Sequence, residues 1–185
     1  MNSAVNKYVE LLKDYNTHTN IYSISAYEKL PFHILDSVRI LDFIPVNTQQ
    51  ILDIGSGSGL PSIPMAITRP DIKITAVESK SRKTKFLIDA KAKLGLHNLT
   101  IITGDINEYI HQKKPKPQVI TAKAFAPIER LLPLLKLLAY TKATVIIPIS
   151  AVQKEALEQF KCPSFIKTAT IQETPPHYYH VLTLH

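Results

Sequence analysis

The sequence is poor in cysteine and glycine and has no long apolar run. One cysteine, Cys162, among 185 residues excludes an internal disulfide and any zinc site built from several cysteines. No stretch approaches the roughly 18 uninterrupted apolar residues that span a bilayer. Met1 to Asn6 lack the basic-then-apolar order of a secretory signal, so the expected compartment is the cytoplasm, with no membrane partner. There is no internal repeat, and the linker-like run Lys113-Lys114-Pro115-Lys116-Pro117 is too short to divide domains. A length of 185 residues predicts one domain, 1–185, large enough to bury a core. A composition of 45% hydrophobic and 20% charged residues excludes wholesale disorder. Two biases remain. Of only five glycines, Gly55, Gly57 and Gly59 fall within five residues, and 22 basic against 15 acidic side chains give a net charge of +7 that favours an anionic partner.

Hydrophobic periodicity predicts helices over Val5–Tyr15 and Pro31–Phe43, then a change of texture. Short apolar strands are expected at Gln50–Ile54, Ile72–Glu78, Leu99–Thr103, Val119–Ala124, Ala143–Ile149, Phe165–Ile171 and Tyr178–Leu184. Helices are expected over Pro61–Thr68, Lys80–Leu94 with Gly95 as its C-cap, Pro127–Ala139 with a break at Pro133, and Ala151–Phe160. No helix is assigned between Leu99–Thr103 and Val119–Ala124. The alternation predicts an α/β fold with a mostly parallel sheet covered by helices on both faces. The last two strands can only form a hairpin, which places one antiparallel strand among seven. That is the layout of Rossmann-like class I methyltransferases, here with an N-terminal helical cap over 1–46 and a core over 47–185.

The glycines occupy Leu52-Asp53-Ile54-Gly55-Ser56-Gly57-Ser58-Gly59-Leu60-Pro61, between a strand and a helix. Leu60 breaks the G-x-G-x-x-G dinucleotide fingerprint, and the Gly-Lys-Ser/Thr of a phosphate-binding Walker loop is absent. Glu78 ends the next strand, where an acid can accept hydrogen bonds from both hydroxyls of a ribose. Together these features predict a nucleoside cofactor without requiring a pyrophosphate. A purely structural strand-to-helix turn is the plainer alternative.

Residues 79–96 hold Lys80, Arg82, Lys83, Lys85, Lys91 and Lys93 against Asp89 alone. Lys80, Arg82 and Lys83 fall at the helix start, where the dipole disfavours cations, so an anion such as an RNA backbone is expected to dock there. A solvated lysine-rich face is the alternative. His177 and His180 stand three apart with no third ligand nearby, so no metal site is expected.

Several blocks together resemble the GidB/RsmG family of bacterial small-subunit ribosomal RNA guanine-N7 methyltransferases. They are Tyr15-Asn16 with Asn20-Ile21; His33-Ile34-Leu35-Asp36-Ser37; Leu52 to Pro64; Glu78-Ser79 with Lys83 and Phe86-Leu87; and Lys123-Ala124-Phe125-Ala126. They run in family order over about residues 15–140. The His-x-x-Asp-Ser block is the most specific, since methyltransferases in general lack it. The resemblance implies S-adenosyl-L-methionine as cofactor and 16S ribosomal RNA, or the small ribosomal particle, as partner of a monomeric enzyme. It implies that Asp53, Gly55, Ser56, Gly57, Gly59, Leu60, Glu78, Ser79, Ile106, Asn107 and Lys123 bind the cofactor. Lys80, Arg82 and Lys83 would hold RNA, while His33, Asp36, Ser37 and Lys123 would shape the target pocket. A hydrogen-bonded His33–Asp36 pair that locks the cap onto the sheet is the alternative for those two. Guanine N7 has a free lone pair, so such an enzyme needs alignment rather than a general base.

Three positions depart from the family pattern. Lys123 stands for arginine, Asp105-Ile106-Asn107 for Arg-Ala-Glu, and Pro148-Ile149-Ser150 for a Lys-Gly that follows the strand. A methyltransferase of another substrate, small molecule or protein, and a non-catalytic RNA-binding relative are the rival readings.

Overall fold

The structure, a computed structural model, describes residues 3–158 and 160–185. Two helices lead, α1 (Ser3–Asn16) and α2 (Leu30–Arg39), with 3-10 turns at Ile24–Lys29 and Ile40–Phe43. Then come β1 (Gln50–Ile54), α3 (Ser62–Thr68), β2 (Lys73–Glu78), α4 (Ser81–Leu94), β3 (Leu99–Thr103), α5 (Ile106–Lys113) and β4 (Val119–Thr121). The chain closes with α6 (Ile128–Leu137), β5 (Thr144–Ile149), α7 (Ala151–Leu157), β6 (Ile166–Thr174) and β7 (His177–Leu184). The strands form one sheet in the order β3-β2-β1-β4-β5-β7-β6, with β7 antiparallel to both neighbours. The expected seven-stranded mixed sheet is therefore present.

Alternation within each parallel strand divides two cores. Ile51, Ile74, Ala76, Val119 and Ile146 join Tyr179 on the face covered by α1 to α4. Leu52, Ile54, Val77, Ile120 and Val145 join Leu182 on the face covered by α5 and α6. Strands buried on both faces read as the near-continuous apolar runs seen in the sequence.

Most predicted boundaries agree within a few residues. The helix not foreseen is α5. Its start carries a capping signal, because the Asp105 carboxylate accepts from the Asn107 and Glu108 N–H groups. β4 stops at Thr121, so Lys123 lies beyond the strand rather than in it. α6 continues through Pro133 instead of breaking there. α7 ends at Leu157, and residue 159 of its predicted span lies outside the described residues.

Two features position the site. The strand order reverses between β1 and β4, which opens a crevice beyond their carboxyl ends. An antiparallel β7 begins at that same end, so His177 and Tyr179 arrive where the parallel strands finish. α1 is pinned to the glycine segment by Tyr8, a fully buried ring whose hydroxyl donates to the Ser58 carbonyl at 2.9 Å. Tyr8→Phe leaves that carbonyl buried without its donor. The variant should keep the fold and lose about 1–2 kcal/mol of unfolding free energy in chemical denaturation.

Candidate functional site

The glycine segment folds as a cradle of backbone donors. Gly55 and Gly57 have φ of 71° and 57°, the left-handed region where glycine carries no Cβ penalty. The N–H groups of Gly55 and Ser56 donate to the Val77 carbonyl at 2.9 and 3.2 Å, which fastens the turn to the end of β2. Glu78 then clamps loop and helix together. Its Oε2 accepts from the Gly57 N–H and its Oε1 from the Lys80 N–H, each at 2.9 Å. An ionised carboxylate has about four lone-pair sites, so two remain for a ligand's hydroxyls. Gly59 serves another purpose. A Cβ there would lie 2.5 Å from Ile63 Cδ1 and 3.2 Å from Leu87 Cδ2, so glycine is needed to pack α3 against α4.

Three cavities run along the crevice. The first, about 310 Å³, is lined by Gly55, Val77, Glu78, Ser79, Lys80, Lys83, Gly104, Asp105, Ile106, Ala124 and Phe125. The second, about 250 Å³, is lined by Ile21, Tyr22, His33, Gly55, Ser56, Gly57, Ser58, Leu60, Lys83, Lys123 and Ala124. The third, about 270 Å³, includes Phe32, His33, Asp36, Lys123, Ala124, Ile147 and Gln153. Ala124 lines all three, with φ of 50°. That conformation costs a non-glycine residue roughly 1–2 kcal/mol. The strained turn sends Lys123 towards the second and third cavities and Phe125 towards the first, where a Cβ on Gly55 would meet the Phe125 ring at 2.3 Å.

Asp36 ties the third cavity together. Its Oδ2 pairs with Lys123 Nζ, its Oδ1 lies 3.4 Å from His177 Nδ1, and its backbone carbonyl accepts from the Tyr179 hydroxyl at 3.0 Å. His177, itself buried, stacks on Phe32 with centroids 4.4 Å apart. The His33–Asp36 bond of the alternative reading is not formed. His33 Nδ1 instead lies 2.7 Å from the Tyr22 hydroxyl, because the side chains at i and i+3 turn to partners on different segments. Burial first, then the Lys123 charge, lower the His33 pKa, and Asp36 acts against them. The ring is thus neutral near pH 7.

The remaining predicted residues separate by position. Asp53 lines none of these cavities. It is fully buried beneath the loop, accepts from Thr121 Oγ1 at 2.9 Å, and leaves Oδ2 without a partner among the described residues. Burial pushes its pKa up to about 6, against the lowering effect of the Ser56, Thr121 and Ser62 hydroxyls. Asn107 lines no cavity either, and its N–H is spent on the Asp105 cap. Ser37 is buried and donates to the His33 carbonyl at 2.7 Å. Lys80 and Lys83 reach the first cavity, whereas Arg82 donates to the Asn20 carbonyl at 3.1 Å and holds the N-terminal segment. Glu78 also places a carboxylate at the start of α4, on the Lys80 N–H. Tyr22, Phe125 and His177 were not assigned site roles from the sequence. Phe125 lay within a quoted block, but nothing local marks His177, which is brought in from the far hairpin.

The chain matches the family model described as GidB, rRNA small subunit methyltransferase G, over residues 1–175. It is 38% identical over 122 residues to the Ribosomal RNA small subunit methyltransferase G of Neisseria meningitidis serogroup C, covering 65% of this chain and 57% of that protein. The chain thus spans little more than half the length of these relatives. The protein of the same name from Brachyspira hyodysenteriae is 40% identical over 149 residues, covering 80% of this chain and 71% of that one. A putative O-methyltransferase from Klebsiella pneumoniae superposes with a TM-score of 0.65 at 12% identity, covering 100% of this chain and 90% of its own, a likeness of fold alone.

Asp53 makes stability depend on pH. Its raised pKa favours the protonated form in the folded state, so its stabilising contribution is complete below about pH 4 and is lost as pH rises through about 6. Against Asp53→Asn, wild type should therefore lose roughly 3 kcal/mol of relative unfolding free energy across that window, measured by denaturation at each pH.

Proposed function

The chain belongs to the GidB family, rRNA small subunit methyltransferase G, and on that premise we propose that it transfers a methyl group from S-adenosylmethionine to N7 of a guanine in 16S ribosomal RNA. The observation that carries this reading is the junction at Ala124, where a Glu78-clamped cavity fit for a ribose meets a second cavity around Lys123 and Asp36. When bound, S-adenosylmethionine supplies an electrophilic methyl group on a sulfonium sulfur.

The residues present fit that cofactor. Glu78 keeps two acceptor sites for ribose hydroxyls, Ile106 and Phe125 offer apolar surface in the same cavity, and Gly55 and Gly57 keep side chains out of the cradle. Lys123 and His33 stand between the donor side and the acceptor side. Asp36 balances the Lys123 charge, so the acceptor cavity is not strongly positive when methylation places a positive charge on the base. Lys123 still has donors left for the base or its phosphate, although without the planar fork of arginine. Attack by N7 asks no residue to remove a proton, and His33, neutral and half-buried, contributes shape and one hydrogen bond. Lys80 and Lys83 at the mouth favour a polyanionic substrate over a neutral small molecule. The reading takes the protein as one domain, with residues 1–46 as a cap, working as a monomer in the cytoplasm without a metal. No helix among the described residues is long and apolar enough to cross a membrane.

Calorimetry should show binding of S-adenosylmethionine and none of NAD, and binding of NAD alone would overturn the cofactor assignment. Gly57→Asp, which puts a carboxylate beside that of Glu78, should abolish the binding. Mapping methylated guanines in 16S RNA from cells with the gene deleted and restored identifies the product directly, and an unchanged map would refute the reading. Replacing Lys80 and Lys83 together by glutamine should lower the slope of log affinity against log salt by about 2, roughly one per lost phosphate contact.

A further inference from the structure

A fourth cavity, about 340 Å³, lies against the acceptor cavity and shares Ala126, Ile147, Ile149 and Gln153 with it. Residues of α6 and α7 wall it, with Phe160 after α7 and His180 from β7. Its volume is that of a small-ligand site. The walls are largely apolar, through Leu131, Leu157 and Phe160 among others. One buried polar group is left incomplete there. His180 is 2% exposed, and its Nδ1 has no hydrogen-bond partner among the described residues. Nδ1 itself is closed to solvent, so the imidazole meets the cavity through its other ring atoms. The Phe160 ring stands edge-on to the imidazole, with centroids 5.1 Å apart and planes at 86°.

The chemistry narrows the occupant. Burial lowers the His180 pKa to about 4, so the ring is neutral and offers one N–H and one lone pair. That suits the edge of a heterocycle, and Glu129 and Lys161 in the same wall offset each other's charge. Unstacked RNA bases are held in this way, by aromatic contact and by hydrogen bonds to their edges. Continuity with the acceptor cavity places such a base beside the one presented for reaction.

We propose that this cavity receives an unstacked base of the same RNA strand, adjacent to the target guanine, with Phe160 against its ring and the His180 imidazole at its edge. The proposal rests on the reading that the chain methylates RNA, and it adds a contact that fixes sequence context next to the target.

The test measures binding of, and single-turnover methyl transfer to, an RNA fragment containing the unmethylated target guanine, intact or with one abasic substitution at each flanking position. Removing one flanking base should weaken RNA binding about tenfold, the order of one base–aromatic stack. Phe160→Ala and His180→Gln should each lose a similar factor on intact RNA, and nothing further on that abasic RNA. Affinity for S-adenosylmethionine should not change. Equal losses by the variants on intact and abasic RNA, or abasic substitutions without effect, would overturn the proposal. So would a response confined to a free small apolar ligand. Should His180→Gln fail to fold, Phe160→Ala, altering a partly buried ring, carries the comparison alone. Failure of wild type to methylate intact RNA would instead bring down the functional reading, and this inference with it.

Discussion

The Asp36 carboxylate is the contact on which the acceptor side depends. It joins α2, the turn after β4 and the start of β7, which lie far apart in sequence and bring a covering helix onto the sheet. Each partner is held in turn by other contacts. His177 rests on Phe32, and Tyr179 is buried at the base of α2. A carboxylate this buried is tolerable because it is paired and hydrogen-bonded. The pairing also keeps Lys123 at the junction of the cavities, where a free lysine side chain would sample many rotamers. The donor side has its own fastener in Glu78, which binds the loop to the first turn of α4. The turn at Ala124 borders the cavities of both sides. Catalysis by alignment needs both sides to be rigid relative to each other, and here rigidity comes from two carboxylates and one strained turn.

Much of the fold was legible in the sequence because parallel strands buried on both faces leave unmistakable apolar runs. The glycine loop and Glu78 were legible for a related reason, since backbone approach to a ligand demands residues without side chains at fixed places. α5 escaped because its apolar content is small, just Ile106, Tyr109 and Ile110, and its Asp105 was read as a ligand neighbour rather than as a helix cap. Asp53 was less legible. An acid just before a glycine loop suggests a ligand contact, and in the structure it is buried on its strand and accepts from Thr121.

The acceptor side was legible only in part. His33, Asp36 and Lys123 could be named from the family blocks, but their pairing could not. Helical spacing put His33 beside Asp36, yet the nearest complementary charge, Lys123, lies across a gap of 87 residues, and His177 lies 141 away. Long-range contacts of this kind leave no periodic trace. The basic helix shows how a charge count can mislead. Lys93 pairs with Asp89 and Arg82 holds a carbonyl of the N-terminal segment, so only part of that charge faces the crevice.

β7 joins parts of the chain that the parallel strands leave separate. The glycine loop, Glu78, Ile106 and the turn at Ala124 all precede residue 126, so the first cavity is lined by one continuous stretch of the chain. His177, Tyr179 and His180 belong to the last strand of the sheet. The first cavity is therefore a product of β1 to β4 and their connections, whereas the Asp36 cluster beside the third also needs a strand returned antiparallel to β5. The hairpin that closes the edge of the sheet thus also closes that cluster.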